Sequence, residues 1–343
     1  MEGNFAVGDE VFRAPLNECG WLYPLPLEAR LLRMLREGAV KVGELAVQLG
    51  ETLEAIEAGL RNLQGAGFVM VRHPTLGVRL EAEPSGLIGD DIFSRMRVPW
   101  VAGVRVYCST DSTNELAMRA GLHGERDPLV IFAEEQTSGR GRFGRAWHSA
   151  YGEGIWVSLL LRPKLEVAQW GRLTGASALA VALAVEGLLG LEVEIKWPND
   201  VVLRGKKVCG VLVESVHGRG EPFVVLGIGV NVNQAEFPGE LRERATSLRE
   251  VLGRSVERPA LAAAILDWLG ELLRRCGVGF GEILAELERR SCVLGRAVSL
   301  RGVDREVRGI AEGLDENGHL RVRLADGTLE TFSAGEVTLG RMG

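Results

Sequence analysis

The stretch QTSGRGRFGRAWHS, residues 136–149, is the most informative segment of this sequence. We call it the Gly-Arg loop, because Arg140, Arg142 and Arg145 alternate in it with glycines. Glycines let backbone amides approach a ligand closely, and arginines supply fork-shaped donors that match carboxylate or phosphate oxygens. Unpaired guanidinium groups are costly to bury, so we expect a loop that is mobile when empty and ordered when an anion binds. A solvated basic loop that binds nucleic acid without sequence preference is the simpler alternative.

The composition is that of a globular protein. The chain has 343 residues, 46% hydrophobic and 25% charged, which predicts two or three domains. Its formal net charge of −6 argues against a protein that coats nucleic acid, although a local basic patch is compatible with it. The N-terminus lacks a signal-peptide pattern, the five cysteines are scattered, and no apolar run reaches the roughly 20 residues of a membrane span. We therefore expect a cytoplasmic protein without a membrane partner, and we assign no residues to a metal.

Hydrophobic periodicity divides the chain into segments that we expect to be separate domains. Leucines at helical spacing predict three short helices, with Gly50 in the tight turn between the second and third. A hairpin that turns at 73–77 follows, so the pattern is that of a winged helix-turn-helix. Strands then alternate with helices, and the chain ends in short strands broken by turns, typical of a small barrel. The expected boundaries are 1–26 for an extension of unknown role, 27–84 for the winged helix-turn-helix, 85–292 for a mixed α/β domain and 293–343 for the barrel.

Three shorter motifs accompany the Gly-Arg loop. KWPND, residues 196–200, places Lys196 at a strand end, where it either meets a phosphate or is only solvated, and VVLRGKKVCGVLVES follows as the next strand. DSTN, residues 111–114, opens a helix, where Ser or Thr is most often an N-cap. GIGVNVN, residues 227–233, lies inside a predicted strand with no helix after it, so it is not a dinucleotide-binding fingerprint. AEPSGLIGDD, residues 82–91, is expected to be a linker.

Five motifs in a fixed order resemble the biotin protein ligases: STN, EQTSGRGRFGRAW, KWPNDV, GKKVCGVLVE and GIGVNVN. Each motif is weak alone, but the order is hard to obtain by chance. With the helical start and the barrel-like end, the resemblance is to the bifunctional bacterial form, ligase and biotin-operon repressor, over residues 27 to 340. It implies an α+β multidomain fold with a winged helix-turn-helix, a central ligase domain like the class II synthetases, and a C-terminal SH3-like barrel.

The resemblance also implies the reaction. Members of this family join the carboxylate of biotin to the α-phosphate of ATP, release pyrophosphate, and pass biotin from biotinyl-5′-AMP to a lysine of a biotin carboxyl carrier protein. The implied substrates are ATP and biotin, with Mg²⁺ on the polyphosphate, and the implied partners are the carrier protein and a second copy of the chain once the adenylate is bound. Such a site must cancel the repulsion of two anions and keep water from a labile mixed anhydride.

Residue roles follow from matching the family motifs position by position. The expected catalytic residues are Lys196, Arg140 and Arg142. The expected biotin-binding residues are Ser112, Thr113, Asn114, Gln136, Arg140, Gly141, Arg142 and Lys196. The expected ATP-binding residues are Arg142, Trp147, Asn199, Asn231 and Asn233, with further nucleotide contacts from FSAGEV, residues 332–337. Trp147 either packs near the nucleotide or supports the loop, and Asp200 either orients the carrier lysine or a metal, or stabilises a turn.

DNA binding is implied by the resemblance but poorly matched by the residues. The expected DNA-binding positions are Thr52, Arg61, Asn62 and Arg72, with His73 and Arg79 also on the hairpin. The third helix, however, begins ETLEAIEAGLRN, and residues 24–84 hold seven basic against eight acidic side chains. Because phosphate neutralisation supplies most nonspecific affinity, we expect a module with weak or lost DNA binding.

Two alternatives remain at this point. A lipoate ligase shares the central fold and the acyl-adenylate strategy, but GRGRxGRxW and KWPND are the biotin-type patterns. An effector-sensing transcription regulator without catalysis would account for the N-terminal module, whereas the acidic third helix and Lys196 count against it.

Overall fold

The protein is described by a computed structural model over residues 25–217, 221–302 and 305–339. Most of the predicted N-terminal extension, with Cys19, lies outside these residues. The helices in chain order are α1 Leu27–Glu37, α2 Val42–Leu49, α3 Leu53–Gly65, α4 Gly89–Arg95, α5 Thr113–Leu122, α6 Arg172–Leu189, α7 Leu241–Arg244, α8 Leu248–Leu252, α9 Arg258–Arg275 and α10 Phe280–Arg289. The strands are β1 Val69–His73, β2 Gly77–Ala82, β3 Gly103–Tyr107, β4 Leu129–Ala133, β5 Gly154–Leu161, β6 Glu194–Lys196, β7 Asp200–Leu203, β8 Lys206–Val216, β9 Phe223–Asn231, β10 Ala297–Arg301, β11 Glu306–Leu314, β12 Leu320–Leu324, β13 Leu329–Phe332 and β14 Glu336–Leu339.

The N-terminal group consists of α1, α2, α3 and the β1–β2 hairpin. Its core is separate from that of the rest of the chain and is built from leucines at helical spacing, such as Leu31, Leu35 and Leu60. Gly50 ends α2 at φ 68°, the left-handed conformation that the tight turn was predicted to need. The predicted helices and hairpin are therefore present.

The expected linker over residues 82–91 is wrong at its end, where residues 89–91 are helical. The chain forms α4 there, and Asp91 on this helix is fully buried. Asp91 forms an ion pair with Arg36 of α1, and its Oδ1 accepts a hydrogen bond from Arg95 Nε at 2.7 Å. These pairs compensate the buried carboxylate and dock α1 against α4, so the segment is structured rather than free.

The central group is a seven-stranded sheet in the order β3-β4-β5-β9-β8-β7-β6, in which only β3 and β4 are parallel. α6 and α9 cover one face and α5 the other, which confirms the predicted mixed α/β class. Val167–Leu189, with α6, is long and apolar enough to span a membrane by composition alone, but most of it is buried in the protein. It is the core helix that the sequence predicted.

VVLRGKKVCGVLVES, predicted as one strand, is instead a hairpin of β7 and β8. Arg204 and Gly205 form its two-residue turn at φ 51° and 78°. Two positive φ values in a two-residue loop match the right-handed twist of the flanking strands, which explains why the chain reverses here.

The C-terminal group is a five-stranded antiparallel sheet in the order β13-β12-β11-β10-β14. Four of these strands were predicted, and the additional β14 pairs with β10. Val298, Leu300 and Val337 belong to the same hydrophobic core as the central sheet. This shared core holds β14 beside the central group, where it takes part in the site described next.

Candidate functional site

A cleft of about 530 Å³ lies between the Gly-Arg loop, the start of α5, the turn after β6 and the start of β14. Nearly all residues expected at biotin or ATP line it. They are Ser112, Thr113, Asn114, Gln136, Arg140, Gly141, Arg142, Trp147, Lys196, Asn199 and Asn231. Residues scattered over more than a third of the chain are thus brought to one cavity by the order of the strands, while their individual roles stay predictions.

The Gly-Arg loop is a tight hairpin above this cleft. Gly141 N donates to Arg145 O at 2.7 Å and Trp147 N to Gly139 O at 2.8 Å. A Cβ on Gly139 would lie 2.6 Å from Trp147 O, so only glycine fits between the two arms. At the tip, Phe143 has φ 57° and is largely exposed. The glycines therefore serve the packing of the loop itself as well as any approach to a ligand.

The three loop arginines are held differently. Arg142 is half-buried, and its Nη1 donates to Asn199 Oδ1 at 2.9 Å. Asn199 Nδ2 donates to Val211 O at 2.8 Å, which turns its Oδ1 toward the arginine. Burial lowers the pKa of Arg142. Arg140 Nη1 lies 3.4 Å from Glu115 Oε2, and Arg145 Nη1 donates to Glu336 Oε1 of β14 at 2.7 Å. Both of these arginines are exposed.

A polar network surrounds the start of α5. Gln136 Oε1 accepts from Thr113 N at 2.9 Å and from the Thr113 hydroxyl at 3.1 Å, while Gln136 Nε2 donates to Ser149 Oγ at 2.8 Å. Asn114 Nδ2 donates to Glu214 Oε2 at 2.7 Å, and Asn114 Oδ1 accepts from the buried Ser158 hydroxyl at 2.5 Å. Every amide in this network consequently has one defined orientation.

Ser112 occupies the N-cap position of α5, as the DSTN motif predicted. Its side chain makes no capping hydrogen bond, although the residue is only 2% exposed and lines the cleft. Ser112 therefore stands at the N-cap position without making the capping hydrogen bond.

The floor of the cleft explains the glycines of GIGVNVN. A Cβ on Gly227 would collide with Asn114 Oδ1, and one on Gly229 would lie 2.5 Å from the Trp147 indole. Trp147 also stands edge-on to Trp156, with ring centroids 6.5 Å apart. Its Nε1 is buried and has no partner within the described residues, so Trp147 both supports the floor and holds an unused donor.

The turn after β6 completes the cleft. β6 ends at Lys196, which pairs with Asp200 across the β6–β7 hairpin. Asp200 lies 2.6 Å from Lys207 Nζ, and that ammonium is 5.1 Å from the centroid of the Trp147 ring. Asp200 therefore lines the cleft with its carboxylate paired to Lys207, and the roles considered for it stay predictions.

Asn231 and Asn233, at the end of β9, have different surroundings. Asn231 lines the cleft and its Nδ2 donates to Thr246 O at 3.2 Å. The structure does not bring Asn233 to the cleft, because the strand ends at Asn231 and the alternation stops there. Asn233 instead bonds to both the N–H and the C=O of Val256, at 2.8 and 2.9 Å.

Sequence reasoning missed several residues of the site. Ser149, Ser158 and Glu214 hold the α5 network in place, and Lys207 pairs with Asp200 in the cleft lining. Glu214 and Lys207 stand inside the GKKVCGVLVE motif, which was the available signal. The FSAGEV stretch reaches the cleft with Gly335, Glu336 and Val337.

Three of the four residues expected to bind DNA make side-chain hydrogen bonds within the protein. Thr52 Oγ1 accepts from Ala55 N at 3.1 Å as the cap of α3, and Asn62 Nδ2 donates to Glu28 at 2.8 Å. Arg72 makes a bidentate pair with Glu57, with Nη1 to Oε1 at 2.9 Å. Arg79 pairs with Glu81 on the same hairpin. Arg61 is exposed on α3.

Comparison with known proteins agrees with this site. Residues 106–233 match the model of the biotin/lipoate A/B protein ligase family, and residues 293–340 match the biotin protein ligase C terminal domain. The bifunctional ligase/repressor BirA of Bacillus subtilis is 31% identical over 85% of this chain and 91% of its own length. The biotin--[acetyl-CoA-carboxylase] ligase of Mycobacterium tuberculosis is 36% identical over 68% of this chain and 87% of its own length.

A solved structure gives the same result. The biotin protein ligase from Aquifex aeolicus in complex with biotin and ATP is 32% identical, with a TM-score of 0.62, over 70% of this chain and 99% of that one. The fold and the cleft define a ligase of the biotin/lipoate class. Within that class, the chain belongs to the biotin protein ligase family, and the resemblance inferred from the five motifs is confirmed.

Proposed function

We propose that this chain is a biotin–[biotin carboxyl carrier protein] ligase, which makes biotinyl-5′-AMP from biotin and ATP and then biotinylates one lysine of a carrier. The observation that carries the proposal is the meeting of Gln136, Arg142 and Lys196, from three distant motifs, in one cleft of a biotin ligase fold.

The α5 network suits the ureido ring of biotin. That ring needs both a donor and an acceptor in an otherwise apolar pocket. Gln136 Nε2 has two hydrogens and gives one to Ser149, so the other is available to a ligand carbonyl. Ser112, without a capping bond, supplies a hydroxyl that can donate or accept.

The cationic side of the cleft serves the first step. A carboxylate oxygen of biotin attacks the α-phosphorus, the bond to the bridging oxygen breaks, and pyrophosphate leaves with the electron pair. Arg142 and Arg140 draw the carboxylate and the α-phosphate together, and Lys196 stabilises charge on the reacting phosphate oxygens.

ATP enters as its Mg²⁺ complex. Within the described residues there is no group of three or more His, Cys, Asp or Glu side chains suited to a metal. Mg²⁺ carried by the polyphosphate would neutralise charge on the leaving pyrophosphate.

In the second step the amine of the carrier lysine attacks the acyl carbon of the adenylate. The bond to the AMP oxygen breaks, AMP leaves, and the nitrogen loses its proton. The Gly-Arg loop excludes water until the carrier arrives, which protects the mixed anhydride from hydrolysis.

The direct test combines the protein with ATP, biotin and a biotin carrier domain and follows the mass of the carrier. We expect one biotinyl group on a single lysine. ATP–pyrophosphate exchange that depends on lipoate and not on biotin would indicate a lipoate ligase. No exchange with either acid would favour a regulator without catalysis.

We further propose the domain division at 27–84, 85–292 and 293–343. The first unit is a winged helix-turn-helix, supported by three helices, the Gly50 turn and the hairpin, and the last is an SH3-like barrel, supported by five short antiparallel strands. DNA binding by the first unit is weak or lost, because Arg30, Arg72 and Arg79 are paired with carboxylates. Submicromolar, salt-sensitive and sequence-selective binding to the biotin-operon control region would contradict this.

The adenylate-bound enzyme is proposed to be a cytoplasmic homodimer that joins through its central sheet. The edge strand β3 is available for such pairing, whereas the outer edge of β6 is already bonded to residues 290–292. Analytical ultracentrifugation should show a larger species with biotin and ATP than without them, and an unchanged monomer in both conditions would contradict the proposal.

A further inference from the structure

A buried ion pair lies beneath the Gly-Arg loop, outside the cleft. Arg258 is the first residue of α9 and is 5% exposed. Glu134 directly follows β4 and is 6% exposed. Arg258 Nη1 lies 2.5 Å from Glu134 Oε2 and Arg258 Nη2 lies 3.2 Å from Glu134 Oε1. The planar guanidinium thus meets the carboxylate with both arms, a geometry that permits little rotation of either side chain.

This pair closes the stem of the loop. Glu134 stands where the chain leaves β4, and its main-chain oxygen accepts from Gly152 N at 3.0 Å. Arg258 Nη1 also donates to the carbonyl of Gly154, the first residue of β5, at 3.2 Å. One guanidinium therefore holds the strand that enters the loop and the strand that leaves it.

The same side chains also hold the segment that arrives from the N-terminal helices. Arg258 Nη2 donates to Ser85 O at 3.3 Å, and Leu87 N donates to Glu134 Oε1 at 2.6 Å. Between them, a Cβ on Gly86 would lie 3.3 Å from Glu134 Oε1, so the backbone approaches the carboxylate closely. Three separate stretches of chain meet at this one buried pair.

We propose that Arg258 and Glu134 are positioning residues for the Gly-Arg loop, and that they set how firmly the loop retains the acyl-adenylate. This rests on the proposed ligase function. Neither residue lines the cleft, so both act through the loop stem. A loop with fixed ends loses less conformational freedom when it closes on a ligand, and small displacements of Arg142 weaken its contacts steeply.

The test is a double variant, Arg258→Met with Glu134→Gln. Removing both charges leaves no unpaired charge in the interior, and the glutamine keeps an acceptor for Leu87 N. The measurement is the rate at which biotinyl-AMP leaves the enzyme after reaction with biotin and ATP, together with the melting temperature. We expect a folded protein that releases the intermediate on the order of tenfold faster.

The matched control is Arg162→Met with Asp127→Asn. Arg162 Nη1 lies 2.8 Å from Asp127 Oδ1 and joins the same two strands, β4 and β5, at their opposite ends. This control variant should retain biotinyl-AMP as well as the wild type does. Wild-type release from the Arg258/Glu134 variant, or an equal acceleration in the control, would overturn the proposal.

Arg258→Lys gives a second test if the double variant does not fold. It keeps the charge but loses the two-armed contact. Amide hydrogen exchange over residues 136–149 should become faster, with the rest of the sheet unchanged, and wild-type exchange there would refute the proposal. This measurement needs neither biotin nor ATP, so a failure of ligase activity would be recognised separately.

Discussion

Arg142 in the cleft and Arg72 on the β1–β2 hairpin belong to one chain but have opposite kinds of partner. Arg142 donates to the neutral amide of Asn199 at 2.9 Å, whereas Arg72 is clasped by both carboxylate oxygens of Glu57. Burial lowers the pKa of Arg142, while the hydrogen bond to Glu57 raises the pKa of Arg72. An anion can reach Arg142 without displacing a carboxylate, and it cannot do so at Arg72.

The difference shows that the partner of an arginine affects how readily an anion can reach it: Arg142 has a neutral partner, whereas Arg72 has a carboxylate. Two carboxylates near Arg142 are already paired, Asp200 with Lys207 and Glu336 with Arg145. In the N-terminal group Glu57 and Glu81 are paired with Arg72 and Arg79 of the hairpin. Four substitutions in the two regions test this difference, from the largest expected effect to the smallest.

Lys196→Met should have the largest effect. Removing the charge that faces the phosphates is expected to lower biotin-dependent ATP–pyrophosphate exchange by about 10²–10³-fold. The control is Lys164→Met, the same change at an exposed lysine. Equal exchange in the two variants would remove Lys196 from the chemistry.

Arg142→Ala should leave the fold intact and release biotinyl-AMP roughly 10- to 100-fold faster, since a charged hydrogen bond is worth about 1.5–3 kcal/mol. Freed intermediate should also label lysines of unrelated proteins, which mass spectrometry of an added bystander protein would detect. Arg145→Ala, at an exposed pair, serves as the milder comparison. Unchanged retention in Arg142→Ala would contradict our account of the loop.

Asn199→Asp gives Arg142 the kind of partner that Arg72 has. The new carboxylate would compete with the substrate anions, so we expect retention of biotinyl-AMP to fall about tenfold. Asn199→Ala removes the same hydrogen bond without adding charge and should have a smaller effect. An equal loss in both variants would show that geometry, and not charge, is what Asn199 supplies.

Glu57→Gln is the reverse exchange and should have the smallest effect. It leaves Arg72 with a neutral partner, so nonspecific DNA affinity at low salt should rise a few-fold, with a salt slope steeper by about one. Glu316→Gln makes the same charge change on an exposed turn far from α3. A gain no larger than in that control would mean that Glu57 does not limit DNA binding.

Much of this architecture was predictable, because it rests on local patterns. Leucine spacing gave three N-terminal helices, and a long apolar run gave α6 as a core helix. The elements that were not predicted, α4 and β14, depend on contacts with residues distant in the sequence. α4 exists because Asp91 meets Arg36, and β14 because four residues pair with β10.

The part of the site that lies within the sequence motifs was predictable. Eleven of the twelve residues expected at biotin or ATP line one cleft, and Asn233 does not, because strand alternation was extended past the end of β9. Ser158 and Glu214 were missed since they meet Asn114 only once β5, β8 and β9 are adjacent.

The most direct measurement is a crystal structure of this protein with biotinyl-AMP. We predict that the Arg142 guanidinium lies about 2.7–3.2 Å from oxygens of the adenylate, beneath a closed Gly-Arg loop. A structure in which the adenylate occupies the cleft while all three loop arginines point to solvent or keep only their protein partners would contradict the account.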